Sequence, residues 1–173
     1  MPDQPPEEWL ATLADLWLCS ALTRGRSTDQ AAWADWEEAA QIVRRLPDGY
    51  VHPWTRVGSA LLDVYAVMVA VDLGDRDEAQ RRSYDLNPAS IPSTERRARH
   101  YIELARSADM EGSAEGTLHL LQQAANVSPE TLAFSPAGRE LVIRLAHEGS
   151  ALVRSEALAL TTRVGLPASA THG

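Results

Sequence analysis

The stretch Leu73-Gly74-Asp75-Arg76-Asp77-Glu78-Ala79 decides how this chain is read. An apolar run ends at Leu73, a glycine follows, and a charged segment holding one small residue, Ala79, takes over. That order reads as a turn between two helices, in which the glycine stops the first and the alanine lets the second pack closely. Gly112 repeats the device: Ala105 falls where the two helices would cross closely, Ala124 on the inner face of the following helix, and Pro129 at its end. Each pair in a short helical repeat must stop, reverse and stack on its neighbour, so glycine in the turn and proline after the second helix are what such repeats require.

The separation of the two glycines is close to the roughly 34-residue period of a tetratricopeptide repeat. Pro88 arrives early and shortens the first unit. Two weaker pairs, before residue 47 and after Pro136, extend the pattern to about eight helices. The reading is all-α: antiparallel helix pairs stacked as a tetratricopeptide-like right-handed array whose first helices line a concave face. A nonrepetitive helical bundle is the alternative, because glycine turns and alanine packing occur in any helical protein.

Working outward, residues 7 to 22 place Trp9, Leu10, Leu13, Leu16, Trp17 and Ala21 at spacings of three and four, which predicts one apolar helical stripe broken at Gly25. Ser27 or Thr28 can cap the next helix, which carries Trp33, Trp36, Ala40, Val43 and Leu46 before Pro47-Asp48-Gly49 stops it. An apolar stretch from Trp54 to Leu73 follows, then a short helix over 76–86 closed by Asn87-Pro88 and Pro92. Ser93 to Arg96 cap a fifth helix with Ala98, Tyr101, Ile102, Ala105 and Ala108 inward. Ser113 restarts a helix with Leu118, Leu121, Ala124 and Ala125 inward, and two more run over 136–146 and 151–164. Val67 to Val71 is the one strand-like run, and with no partner strand its buried backbone groups would go unpaired, so it reads as helix. The expected organisation is a flexible N-terminus over 1–6, one helical domain over 7–166 and a flexible tail over 167–173.

Composition narrows the function classes. The 173 residues carry 45% hydrophobic residues and a formal charge of −8, enough apolar matter for a core and the wrong sign for a phosphate backbone. Every basic residue is arginine, a bias that points to a GC-rich, actinobacterial genome. Cys19 is the single cysteine, so no internal disulfide or cysteine zinc cluster can form, and a cytoplasmic location fits. The acidic start is unlike a signal peptide, and no membrane span is read. No Gly-rich phosphate loop, Gly-x-Ser-x-Gly elbow or His-Glu-x-x-His helix is present, which argues against an enzyme. His52, His100, His119, His147 and His172 are dispersed, and neither a metal nor a cofactor is expected.

A family resemblance narrows the reading further. It rests on Trp54-Thr55 and Gly58 leading into Val69 to Asp75, on Pro92-Ser93-Thr94-Glu95-Arg96-Arg97-Ala98-Arg99-His100, and on Ile102 to Arg106. Ser128-Pro129-Glu130, Ser135-Pro136 and Arg139 to Val142 continue it. Over about two thirds of the chain, these residues resemble the C-terminal tetratricopeptide-like domains of actinobacterial helix-turn-helix transcriptional regulators of the Xre family. The resemblance implies a non-catalytic domain that binds a short peptide or a partner protein, or forms a homodimer, and does not itself touch nucleic acid or membrane. Residues 1–50 are tryptophan-rich and acidic and lack the basic recognition helix of a DNA-binding module, so a fragment of a regulator or a stand-alone adaptor that binds a partner protein is implied. Relatives are expected to carry Asn and His where this chain has Leu61 and Tyr65, so the ligand does not transfer.

With the first helices facing inward, Leu61, Val64, Tyr65, Met68 and Asp72 would line one half of a groove and Arg99, Ile102, Arg106 and Asp109 the other. The arginines would suit a carboxylate through bidentate hydrogen bonds. The plainer account is a solvated face in which Arg96, Arg97, Arg99 and Arg106 pair with Glu95 and Glu103. Of the five tryptophans, four sit in the first helix pair, where they either cover the open end of the array or form a dimer surface.

Overall fold

The computed structural model describes residues 5–91 and 93–166, and all described secondary structure is helical. The chain divides into two compact units, Met1–Ile91 and Pro92–Gly173. Residues 1–4 of the tail expected over 1–6, and the whole tail expected over 167–173, lie outside the described residues.

The first unit holds α1 (Glu7–Arg26), α2 (Ala32–Val43), α3 (Ser59–Asp72), α4 (Arg76–Asp85) and a 3-10 turn (Pro88–Ser90). The second holds α5 (Thr94–Met110), α6 (Ala114–Val127), α7 (Pro129–Phe134), α8 (Pro136–Glu148) and α9 (Ala151–Val164). Consecutive helices pack as antiparallel pairs, α1 with α2 and α3 with α4 in the first unit, α5 with α6 and α8 with α9 in the second.

The two glycine turns share their backbone conformation and backbone hydrogen bonds. Gly74 and Gly112 adopt φ of +76 and +75, the left-handed conformation that costs a side chain energy and costs glycine nothing. Behind Gly74 the Asp75 N–H donates to Ala70 across 2.9 Å, and behind Gly112 the Ser113 N–H donates to Ala108 across 3.0 Å. Asp75 then accepts from the Glu78 N–H and Ser113 from the Gly116 N–H, each capping the next helix. The shift that carries Gly74 onto Gly112 also carries buried Val64 onto buried Ile102, Val67 onto Ala105 and Ala79 onto Thr117.

The helix starts read at Ser93 and Ser113 are capped by those serines, and Ser128, Ser135 and Ser150 cap helices in the same way, each hydroxyl accepting from the third residue on. The strand-like run 67–71 is helix. Two expectations for the first pair are corrected. Neither Ser27 nor Thr28 caps α2; Asp29 accepts from the Ala31 N–H just before it instead. α1 also runs through Gly25 to Arg26, because Gly25 is a crossing point: a Cβ there would lie 3.3 Å from the Asp72 Cβ on α3.

That crossing also rotates the buried face of α1 away from part of the expected stripe: Leu10 and Ala21 are buried as expected and Trp17 packs against the core. Its buried residues are Leu10, Ala11, Ala14, Leu18, Ala21 and Gly25, mostly small, as close approach to α2 and α3 demands. Trp9, Leu13 and Leu16 are exposed. In the second unit Ile102, Leu118, Leu121, Ala124 and Ala125 lie in the core as their spacing predicts, joined by Leu132 of the short α7. A fully buried leucine such as Leu121 contributes about 1.5–3 kcal/mol of transfer free energy.

Candidate functional site

Between α2 and α3 the chain forms a small ordered loop. The His52 N–H donates to the Val57 carbonyl at 2.9 Å and the Arg56 N–H to the His52 carbonyl at 3.0 Å. Inside this ring the buried His52 imidazole accepts at Nδ1 from the Thr55 N–H, 3.1 Å away. Arg56 sits at φ 63, a left-handed conformation that costs a non-glycine residue about 1–2 kcal/mol and persists only where its surroundings enforce it. Gly58 closes the loop where a Cβ would stand 2.5 Å from the Tyr50 carbonyl oxygen. The outcome is Trp54 held at the tip with 88% of its surface in water. An indole so placed offers a large apolar face and one N–H donor at little further ordering cost.

The other aromatic group in this unit is internal. Trp33 and Trp36 meet edge to face at 5.9 Å, and the Arg82 guanidinium lies 4.6 Å from the Trp36 ring centroid. The Trp36 Nε1–H donates to the Leu62 carbonyl at 3.0 Å. Glu78 accepts from Arg81 and Arg82, which hold its carboxyl well below the usual range, at about 2. Here α2, α3 and α4 are tied through side chains, and the arginine over the rings is already engaged.

The groove residues proposed from sequence fall into three environments. Leu61, Val64 and Tyr65 are buried in the first unit's core, with Met68 half-buried against it, and Ile102 is buried in the second unit's core. The Asp72 carboxylate lies 3.8 Å from Arg26 Nε. Arg99 donates to Glu95, Arg106 to Glu103 at 2.6 Å, and Asp109 accepts from Arg144, whose guanidinium is held above its ordinary pKa by that bond. Each unit therefore brings its own members together, the apolar ones as packing and the charged ones as ion pairs. Arg99, the most exposed of the charged set, stands in the Glu95 pair that the plainer sequence account anticipates.

Three features went unread in the sequence. The Trp54 loop had a signal, since prolines and glycines flank a lone tryptophan. Arg144 as the partner of Asp109 had none, because the two lie on different helices. His100 is fully buried beside Tyr101, and neither ring nitrogen has a hydrogen-bond partner among the described residues. Burial lowers its pKa to about 4, so the ring is neutral at neutral pH.

Each unit also carries an open cavity. One of about 290 Å³ lies beside Leu46, Tyr50, Ser59 and Leu62, and burial raises the pKa of the Tyr50 hydroxyl, which finds no partner among the described residues. One of about 460 Å³ is lined by Pro129, Ala133, Phe134, Arg139, Arg163 and Leu166, apolar walls with two guanidinium groups.

Among the described residues no three His, Cys, Asp or Glu side chains gather to hold a metal ion, and no helix is long and apolar enough to cross a membrane. The geometry defines a protein of antiparallel helix pairs with an ordered aromatic loop. No family model, curated protein or solved structure matches the chain.

Proposed function

We propose that this chain works by holding a partner rather than by transforming a substrate, as the cytoplasmic regulatory domain of an Xre-type transcriptional regulator. It binds a short peptide or a partner protein and leaves DNA contact to another module. The observation that carries the binding part is the loop that holds Trp54 at 88% exposure. A free tryptophan on a mobile loop would fold onto apolar surface; here buried His52 and the backbone bonds of Arg56 and Val57 hold it out. Exposed, preorganised tryptophans are the residues that most often anchor interfaces. The regulatory part rests on the resemblance of the Trp54-to-Val142 segments to Xre-family domains, supported by the matching glycine turns at Gly74 and Gly112. An adaptor that holds a partner protein is the second reading, and the same exposed Trp54 supports it.

Affinity capture from an actinobacterial lysate with the wild-type chain and with Trp54→Ala, read by mass spectrometry, tests this. A peptide or full-length regulator held by the wild type and lost from the variant supports the reading. Equal recovery by both chains opposes a role for the loop. An in-frame helix-turn-helix segment upstream separates the regulator from the adaptor.

A further inference from the structure

α1 is apolar on two opposite sides. One side, Leu10, Ala11, Ala14, Leu18, Ala21 and Gly25, faces the core of the first unit. At 100° per residue the opposite side carries Trp9, Thr12, Leu13, Leu16 and Thr23, with no charged residue among them, and Ser20 lies at its edge, where its hydroxyl donates to Asp35 on α2. Trp9 is 72%, Leu13 46% and Leu16 63% exposed. In a chain of formal charge −8, an uncharged stripe several turns long with large side chains is a surface prepared for contact.

The geometry points to a second copy of this chain as the occupant, its α1 lying antiparallel on this one. The ends of the helix choose the partner and the direction. The first turn is acidic, with Glu7 and Glu8, and the last turn basic, with Arg24 and Arg26. Arg24 and Arg26 pair internally with Asp29, Asp35 and Asp72, yet their side chains remain 45% and 68% exposed. An antiparallel pair sets each acidic end on a basic end, whereas a parallel pair would stack Glu7 and Glu8 on their own copies. With the two-fold axis between Leu16 and Trp17, Leu13 faces Ser20 of the second copy and Trp9 faces Arg24 of the second copy, a cation-over-ring approach. Three exposed apolar residues supply only part of the roughly 800 Å² per partner of a standard interface, so the association is concentration-dependent. This inference stands apart from the regulatory reading, and its failure leaves the Trp54 capture experiment untouched.

Sedimentation equilibrium of the full chain over a concentration series tests it. The weight-average mass is expected to climb from 18.9 kDa toward twice that value. Leu16→Glu, at an exposed position where the fold is retained by circular dichroism, is expected to weaken association about tenfold or more. A mass that stays monomeric to millimolar concentration, or association that Leu16→Glu and Leu13→Glu leave unchanged, overturns the proposal. Direction is read by oxidation in a Cys19→Ser background. Leu16→Cys, beside the axis, is expected to cross-link between copies. Trp9→Cys is not, since its two copies lie about 22 Å apart along the helices at 1.5 Å per residue. Equal cross-linking at both positions would mean a parallel pair and overturn the arrangement.

Discussion

The indole N–H of Trp36 donates to the backbone carbonyl of Leu62 across 3.0 Å, joining α2 to a carbonyl in the first turn of α3. Arg82 lies over the same ring at 4.6 Å. Phenylalanine at this position keeps most of the apolar contact and loses the donor and the stronger cation attraction. Trp36→Phe is expected to lower stability by about 1–2 kcal/mol. Urea unfolding followed by circular dichroism checks it, and an unchanged midpoint would show that the indole bond contributes nothing.

Ala105 on α5 and Ala124 on α6 are both fully buried, on the most extensively packed helix pair of the second unit. Leucine at either position forces the two helices apart, at a cost of about 1–3 kcal/mol. Ala151→Leu, at an exposed position, serves as the control with little change. Thermal melts of the three variants decide the matter. Full stability in both buried variants would mean that this crossing is loose.

Gly74 and Gly112 have open space where a Cβ would go, so alanine there meets no clash and feels only the left-handed backbone. Gly74→Ala and Gly112→Ala are each expected to cost about 1–2 kcal/mol, by similar amounts because the two turns share their hydrogen bonds. Chemical denaturation of both variants measures this. A large cost at one glycine and none at the other would separate the two turns.

His100 is neutral in the folded chain, with its pKa lowered from 6.5 to about 4 by burial. Between these values the unfolded chain binds the extra proton, so stability falls as pH drops through the window and is independent of this group above it. About 2 kcal/mol of that loss is expected by pH 5. Replacing His100 with leucine removes the group, and the variant is expected to lose less stability than the wild type between pH 7 and pH 5. Parallel slopes for the two chains would show that His100 does not drive the dependence.

Helix beginnings and ends were largely legible, because their causes are local. A serine hydroxyl capping the third N–H on, a proline at a first helical position and a left-handed glycine act within a few residues of themselves. The Leu118, Leu121, Ala124 and Ala125 stripe was legible too, since helix periodicity is a property of the chain. The faces of α1 were not. Counting large apolar residues pointed Trp9, Leu13 and Leu16 inward, yet alanines and Gly25 face the core because α3 comes close.

The candidate groove shows the same divide. Sequence spacing grouped Leu61, Val64, Tyr65 and Met68 on one side of a helix but could not say what lay against that side, which is the first unit's core. Arg99 and Glu95 stand one turn apart and were legible as a pair, whereas Arg144 meets Asp109 from another helix and was not.

The sequence by itself determined that this chain forms antiparallel helix pairs, where most of those helices stop, and that its two glycine turns are equivalent. Those are short-range consequences of backbone conformation and capping. Tertiary structure alone decided which side of each helix is buried, that His100 is enclosed without a hydrogen-bond partner among the described residues, and that Trp54 and the Trp9-Leu13-Leu16 stripe stand in water. Burial is a property of neighbours distant in the chain, and a helix apolar on two sides carries no local mark of which side those neighbours will take.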